Sequence, residues 1–237
     1  MNNFILKLIA IITMLIDHIG YLYFPDILFF RFIGRIAFPI YAFLITQGIF
    51  YTKDKIKYFK RIFIMAILSE IPFNLLAHKT ILYPSYQNVL LLFTIAIGTI
   101  ILYEKLKEKN KDSYYAILIG IILSILLKPD YGLVGIILIY TYYFLTKKES
   151  NHLIKIKILI PAIFFLLYQI IENGIFYKNG FIQSIQDISW IYFGSLIAFI
   201  LIYFYNGKLG FKNKFLNIIF YLFYHIHMIF LYIIFLL

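Results

Sequence analysis

The chain has 237 residues, 63% of them hydrophobic and 14% charged, with a formal net charge of +11. Ordinary soluble domains are about half apolar and roughly a quarter charged. A mean hydropathy of +0.88 therefore excludes an ordinary soluble domain and indicates an integral membrane protein with almost no soluble part. There is no cysteine, which rules out disulfides, thiolate nucleophiles and Cys-ligated metals.

Nine hydrophobic segments follow one another along the chain, at about 4–24, 29–51, 61–77, 87–104, 114–128, 131–146, 158–172, 187–205 and 214–236. A helical crossing takes roughly 20 residues, so the fifth, sixth and seventh are short and must tilt or thin the bilayer locally. The first segment begins with a single lysine, no small-residue cleavage site follows it, and it reads as a retained helix.

The basic residues alternate between loops. Lys53, Lys55, Lys57, Lys60 and Arg61, then Lys105, Lys107, Lys109 and Lys111, then Lys147, Lys148, Lys155 and Lys157, then Lys208, Lys212 and Lys214 occupy every second loop. The intervening loops hold only Lys79, Lys128 and Lys178. Positive residues concentrate on the cytoplasmic side. The expected topology is thus a nine-helix bundle, N-terminus inside and C-terminus outside. Only helices satisfy their backbone within one segment in lipid, and the short alternating strands of a membrane barrel are absent from the pattern. The fold class is all-α, a single polytopic domain over 1–237. Because the charge falls in topogenic loops, it argues for membrane lipids as surroundings and against a nucleic-acid partner.

Ionisable groups inside membrane segments are costly and usually have a job. Segment one carries Asp17 and His18, with Lys7 eleven residues before His18. Eleven residues are close to three helical turns, which puts Lys7 and His18 on one face about 16 Å apart. Segment two carries Arg31 and Arg35, then Pro39, which breaks the hydrogen-bond ladder. Arg35 with Asp17 or with Glu70 offers a structural ion pair that locks helices, beside any functional role, while Arg31 is expected to snorkel to the outer surface. Segment three carries Ser69-Glu70-Ile71-Pro72-Phe73-Asn74, with Glu70 and Asn74 on one face. Gln87 and Asn88 open segment four, Asp130 lies in the turn after segment five, and His225 and His227 lie in the last segment on divergent faces. Asp17, His18, Arg35, Glu70, Asn88 and the last-segment histidines fall at one depth, between the midplane and the outer interface. The histidines are scattered, with no helical His-x-x-x-His, so no metal site is expected.

These residues carry a family resemblance. Lys7…Ala10…Met14…Asp17-His18, Arg31-Phe32-Ile33-Gly34-Arg35-Ile36-Ala37-Phe38-Pro39, Ser69-Glu70-Ile71-Pro72-Phe73, Asn88-Val89, Asp130-Tyr131-Gly132 and Tyr224…His227 are similar to the motifs of the TraX family of bacterial membrane proteins, over nearly the whole chain. Where that family usually has Tyr-Pro-x-His, this chain has Tyr224-His225-Ile226-His227. The resemblance implies a branch of the integral-membrane acyltransferases, whose founding TraX members acetylate the amino terminus of pilin. Acetyl-CoA is the implied donor, and the implied acceptor is a peptide, protein or glycan. On this expectation His18 is general base with Asp17 or Glu70 behind it. Arg35, with Asn88 or His227, stabilises the oxyanion. Lys7, Lys53, Lys55, Lys57 and Arg61 attract the donor's phosphates, and Asn74, Asn88 and Asp130 meet the acceptor. The same residues also fit a proton-coupled carrier or channel, or a structural membrane partner. The sequence sets no oligomeric state.

Overall fold

A computed structural model describes residues 1–147, 159–165, 167, 190–211 and 214–236. Among these residues the chain is all-helical. The helices are α1 (Asn3–Tyr23), α2 (Leu28–Gly34), α3 (Ala37–Tyr51), α4 (Lys55–His78), α5 (Val89–Glu108), α6 (Tyr114–Leu127) and α7 (Gly132–Lys147). Residues 159–165 are helical as well. A 3₁₀ turn at Trp190–Phe193 leads into α8 (Gly194–Tyr203), and α9 is Lys214–Leu236. About half of the expected seventh segment and the start of the eighth, with Lys148, Lys155, Lys157, Lys178 and Lys212, lie outside the described residues.

The elements start and stop for local reasons. Asn2 caps α1 by accepting from the Ile5 amide at 3.0 Å. Asp54 caps α4 by accepting from Lys57 at 2.8 Å, and Asn88 caps α5 by accepting from Leu90 at 3.0 Å. Such caps satisfy amides that the first turn leaves unbonded. At the other ends of α4 and α6, Lys79 and Lys128 take the left-handed conformation, with φ of 58° and 47°.

Two sequence expectations change. The second segment is not one kinked helix: α2 ends at Gly34 and α3 begins at Ala37. Pro39 lacks the N–H that would bond the Arg35 carbonyl, and its ring crowds that same carbonyl, so the break falls four residues before the proline. The basic stretch before the third segment is not a loop, because α4 starts at Lys55, and Lys55, Lys57, Lys60 and Arg61 form its first two turns.

The chain divides into two compact units, Met1–Tyr41 with Leu145–Lys212, and Ala42–Phe144 with Asn213–Leu237. In the first, α1 packs on α2, and α2 packs on the 3₁₀ turn and α8. Gly194 lies so close to the Phe32 carbonyl that a Cβ there would collide with it. In the second, α4 packs on α5 and α9, and α5 on α6. The buried face of α6 is Ala116, Gly120 and Ser124, a small-residue seam of the kind that lets membrane helices approach closely. The Tyr140 hydroxyl lies over Gly120 and meets the Thr99 hydroxyl at 2.6 Å, tying α5, α6 and α7 together.

The surface is inverted relative to a soluble protein. On α4, Ile67 and Leu68 are 59% and 55% exposed, while the polar residue that follows them, Ser69, is fully buried. Bulky apolar side chains outside and polar groups inside suit hydrocarbon surroundings, where an unsatisfied polar group costs several kcal/mol. Among the described residues, α1, the Leu28–Tyr51 stretch and α5 are long and apolar enough to cross a membrane.

Candidate functional site

The ionisable residues singled out in the sequence are distributed over both units, and each set is organised locally.

In the first unit, the link Phe24–Ile27 folds α2 back on α1. The Gly20 backbone packs on Phe30, and Gly34 lies against the Asp17 carboxylate. That register brings Arg31 to Asp17: Nη1 lies 2.8 Å from Oδ2 and also donates to the Asp17 carbonyl at 3.4 Å. Arg31 therefore does not simply snorkel. It forms an ion pair with Asp17, because the tight turn sets it opposite that carboxylate. The Arg31 guanidinium also sits 5.4 Å from the centroid of the Tyr21 ring. Arg35, half-buried just past the end of α2, has its guanidinium 5.8 Å from the Tyr192 ring. His18 and Lys7 are half-buried, and the continuity of α1 keeps them on one face, as the spacing predicts.

In the second unit, Asn88 is the central polar residue. It is fully buried. Its Nδ2 donates to the Ala66 carbonyl at 2.9 Å and to Glu70 Oε2, while its Oδ1 caps α5. Both amide hydrogens and the cap acceptor are thus committed to joining α4 to α5, so Asn88 has no donor left for a substrate or an oxyanion. Glu70 takes Asn88 as its partner. Its other oxygen, Oε1, is buried with no hydrogen-bond partner among the described residues. Asn74, one turn on, is 1% exposed. It donates from Nδ2 to the Ile81 carbonyl at 3.4 Å, and its Oδ1 is likewise unpartnered. Asp130 accepts from the Tyr86 hydroxyl at 2.7 Å and from the Tyr131 amide at 3.0 Å. This fixes the turn between α6 and α7, as do the backbone bonds between Gln87 and Lys128–Asp130.

The two histidines of α9 face different neighbours, as their spacing requires. His225 meets the Ser69 hydroxyl at 3.3 Å through Nε2. Because Ser69 already donates to the Met65 carbonyl at 2.7 Å, the imidazole is the donor in that contact. His227 is buried, stacks on Phe223 with centroids 4.8 Å apart, and hydrogen-bonds the Phe223 carbonyl through Nδ1. A carbonyl only accepts, so Nδ1 carries the proton, and in the neutral ring Nε2 holds the lone pair.

At the start of α4, Lys55 Nζ lies 2.6 Å from Glu104 Oε2, and the Tyr143 hydroxyl donates to the other carboxylate oxygen at 2.9 Å. Lys55 is thus spent on tying α4 to α5 and α7. Lys53, Lys57, Lys60 and Arg61 remain exposed. Among the described residues, no group of acidic residues and histidines is arranged to hold a metal ion.

One residue with a place in this set escaped the sequence reading. His78 continues the Glu70–Asn74 spacing by one more turn. Its Nε2 is buried and unpartnered, and its ring stacks on Tyr83 at 3.9 Å. The four-residue periodicity was the available signal, but the segment boundary at residue 77 placed His78 in a loop.

Three helices among the described residues that are long and apolar enough to cross a membrane, with bulky apolar side chains on the outside, indicate a membrane protein. The chain belongs to the TraX family: the family model, described as TraX protein, matches residues 3–235. It is 34% identical over 99 residues to the uncharacterized protein RP591 of Rickettsia prowazekii, covering 42% of this chain and 36% of that protein. It is 25% identical over 241 residues to the probable fimbrial assembly protein FimC, serogroup H1, of Dichelobacter nodosus, covering 95% of this chain and 92% of the relative. No solved structure matches it.

Proposed function

We propose that the protein is a membrane-embedded acetyltransferase that moves an acetyl group from cytoplasmic acetyl-CoA to the amino terminus of a pilin-type subunit. The full-length match to TraX carries this reading. The name of the Dichelobacter relative supports a fimbrial setting.

The chemistry requires a base, a group for the oxyanion, and a positive surface for the donor. The acceptor amine attacks the thioester carbonyl, the oxyanion collapses, coenzyme A thiolate leaves, and the base takes the ammonium proton. His18 is the base, and Arg35 stabilises the oxyanion. General-base help of this kind is typically worth about 10²–10⁴-fold. The exposed Lys53, Lys57, Lys60 and Arg61 attract the donor's phosphates. A hydroxyl acceptor would use the same groups.

A second reading, a proton-coupled carrier, is favoured by the break between α2 and α3, since interrupted membrane helices often line transport sites. Purified protein in liposomes with labelled acetyl-CoA and a peptide bearing a free amino terminus separates the two. Transfer of label that fails in His18→Ala and Arg35→Gln supports acetyl transfer. Absence of any transfer or donor hydrolysis that depends on these residues, together with gradient-driven proton movement, sinks it in favour of the carrier.

A further inference from the structure

Three residues on one stripe of α4, each four positions from the last, have a buried polar side-chain atom with no hydrogen-bond partner among the described residues: Glu70 Oε1, Asn74 Oδ1 and His78 Nε2. Buried polar groups in native proteins are overwhelmingly satisfied. Three gaps in a row on a single helix face mark a place where a ligand's donors belong.

The chemistry of the gaps identifies those donors. The Asn74 orientation is fixed because Nδ2 faces the Ile81 carbonyl, which leaves the amide oxygen as the open group. Glu70 Oε2 is held by Asn88, so its carboxylate is anchored and presents Oε1 alone. Glu70 also has no ion-pair partner among the described residues. A buried carboxylate without a cation is expensive, and a positive ligand offsets that cost. Glu70 and Asn74 stand one turn, about 6 Å, apart along the helix, near enough for two acceptors to converge on one ammonium. His78 lies another turn on, too far from Glu70 to share a single metal ion with it, since metal bonds span only about 2–2.6 Å. It is placed to meet the group that follows the ammonium. Its ring is walled by Tyr83 and by Phe73 at 6.0 Å. The same end of α4 already tolerates an ammonium on an aromatic face, since Lys79 Nζ lies 3.8 Å from the Phe235 ring centroid.

We infer that the Glu70–Asn74–His78 stripe is the binding site for the α-ammonium of the acceptor peptide. The ammonium is held between Glu70 and Asn74, and the first peptide group meets His78. The identification of this amine as the acceptor rests on the acetyl-transfer reading above; the site itself does not. In this arrangement Glu70 and Asn74 are acceptor-binding groups, and Asn88 is a positioning residue that orients the Glu70 carboxylate.

The test uses the full chain in nanodiscs and a fluorescent hexapeptide with a free amino terminus, alongside its N-acetylated counterpart. The free-amine peptide should bind at least tenfold more tightly than the acetylated one. Glu70→Gln and Asn74→Leu should each abolish that preference while leaving acetyl-CoA binding unchanged, with thermal unfolding confirming that each variant is folded. If either folded variant keeps the preference, or if wild type shows none, the inference is overturned and the stripe holds water only. Should Glu70→Gln fail to fold, Asn74→Leu decides the matter by the same criterion, and folded His78→Phe must weaken binding of the free-amine peptide or the inference is overturned. Selective amine binding without acetyl transfer would refute the enzyme reading and leave the site standing. Acetyl transfer untouched by Asn74→Leu would do the reverse.

Discussion

Gly34 lies against the carboxylate of Asp17, so closely that a Cβ would overlap its Cβ, Cγ and Oδ1. A glycine on α2 thus makes room for a charged group on α1, and the ion pair with Arg31 depends on that room. Gly34→Ala should push the helices apart and break the pair. Overpacking of this kind costs about 1–3 kcal/mol. Thermal unfolding in detergent should show a lowered Tm, and the loss should shrink in an Asp17→Ala background, because contacting residues are non-additive.

The pair itself is half-sheltered, with side chains 24% and 16% exposed. Removing one member leaves the other charge uncompensated, which is worse than removing both. Arg31→Met should therefore destabilise the protein more than the double variant Arg31→Met/Asp17→Leu does. A double variant less stable than Arg31→Met alone would contradict this account.

Asn88 serves as a cap and a clamp at once. Asn88→Ala should lose about 1 kcal/mol for the cap and a further 1–3 kcal/mol for the stranded Ala66 and Glu70 acceptors. Asn88→Asp keeps the cap but replaces the amide donor that Glu70 accepts from with a second carboxyl group, so it should be the more damaging of the two. Chemical unfolding of the two variants side by side checks the order.

The lysines at the start of α4 divide into two kinds. Lys55→Met should lower stability, since it strips Glu104 of its counter-ion. Lys57→Ala and Lys60→Ala should leave stability unchanged and, on the acetyl-transfer reading, raise KM for acetyl-CoA with kcat preserved. That difference should fade at high salt, because exposed charges are screened.

Left-handed lysines at Lys79 and Lys128 occupy positions that usually fall to glycine. The turn is bonded through the Lys128 carbonyl, so Lys128→Gly should relieve backbone strain on the order of 1 kcal/mol and raise Tm. A lowered Tm would show that its side chain matters.

The nine-segment pattern anticipated the helices closely where they are described, because hydropathy reports directly on which stretches meet lipid. The expected ends failed where local chemistry decided them. Asp54 starts α4 well before the apolar run, and Pro39 divides α2 from α3. Pairings were harder to read. Arg31 and Arg35 are both plausible partners for Asp17 by depth, and only the turn at Phe24–Ile27 fixes the register. Asn88 looked like a ligand for substrate because a buried amide reads the same whether it binds a neighbour or a guest. His78 was lost to a boundary drawn one residue early.

The span of α4 has one more consequence. Its 24 residues run from the Asp54 cap to left-handed Lys79, a fixed length of about 36 Å. On the topology expected from the sequence, such a rod acts as a gauge for the bilayer around it. In shorter-chain lipids it must lean, since it cannot contract. Leaning would carry Glu70, Asn74 and His78 to a new depth, and the protein's response to acyl-chain length becomes a readout of where along that rod its work is done.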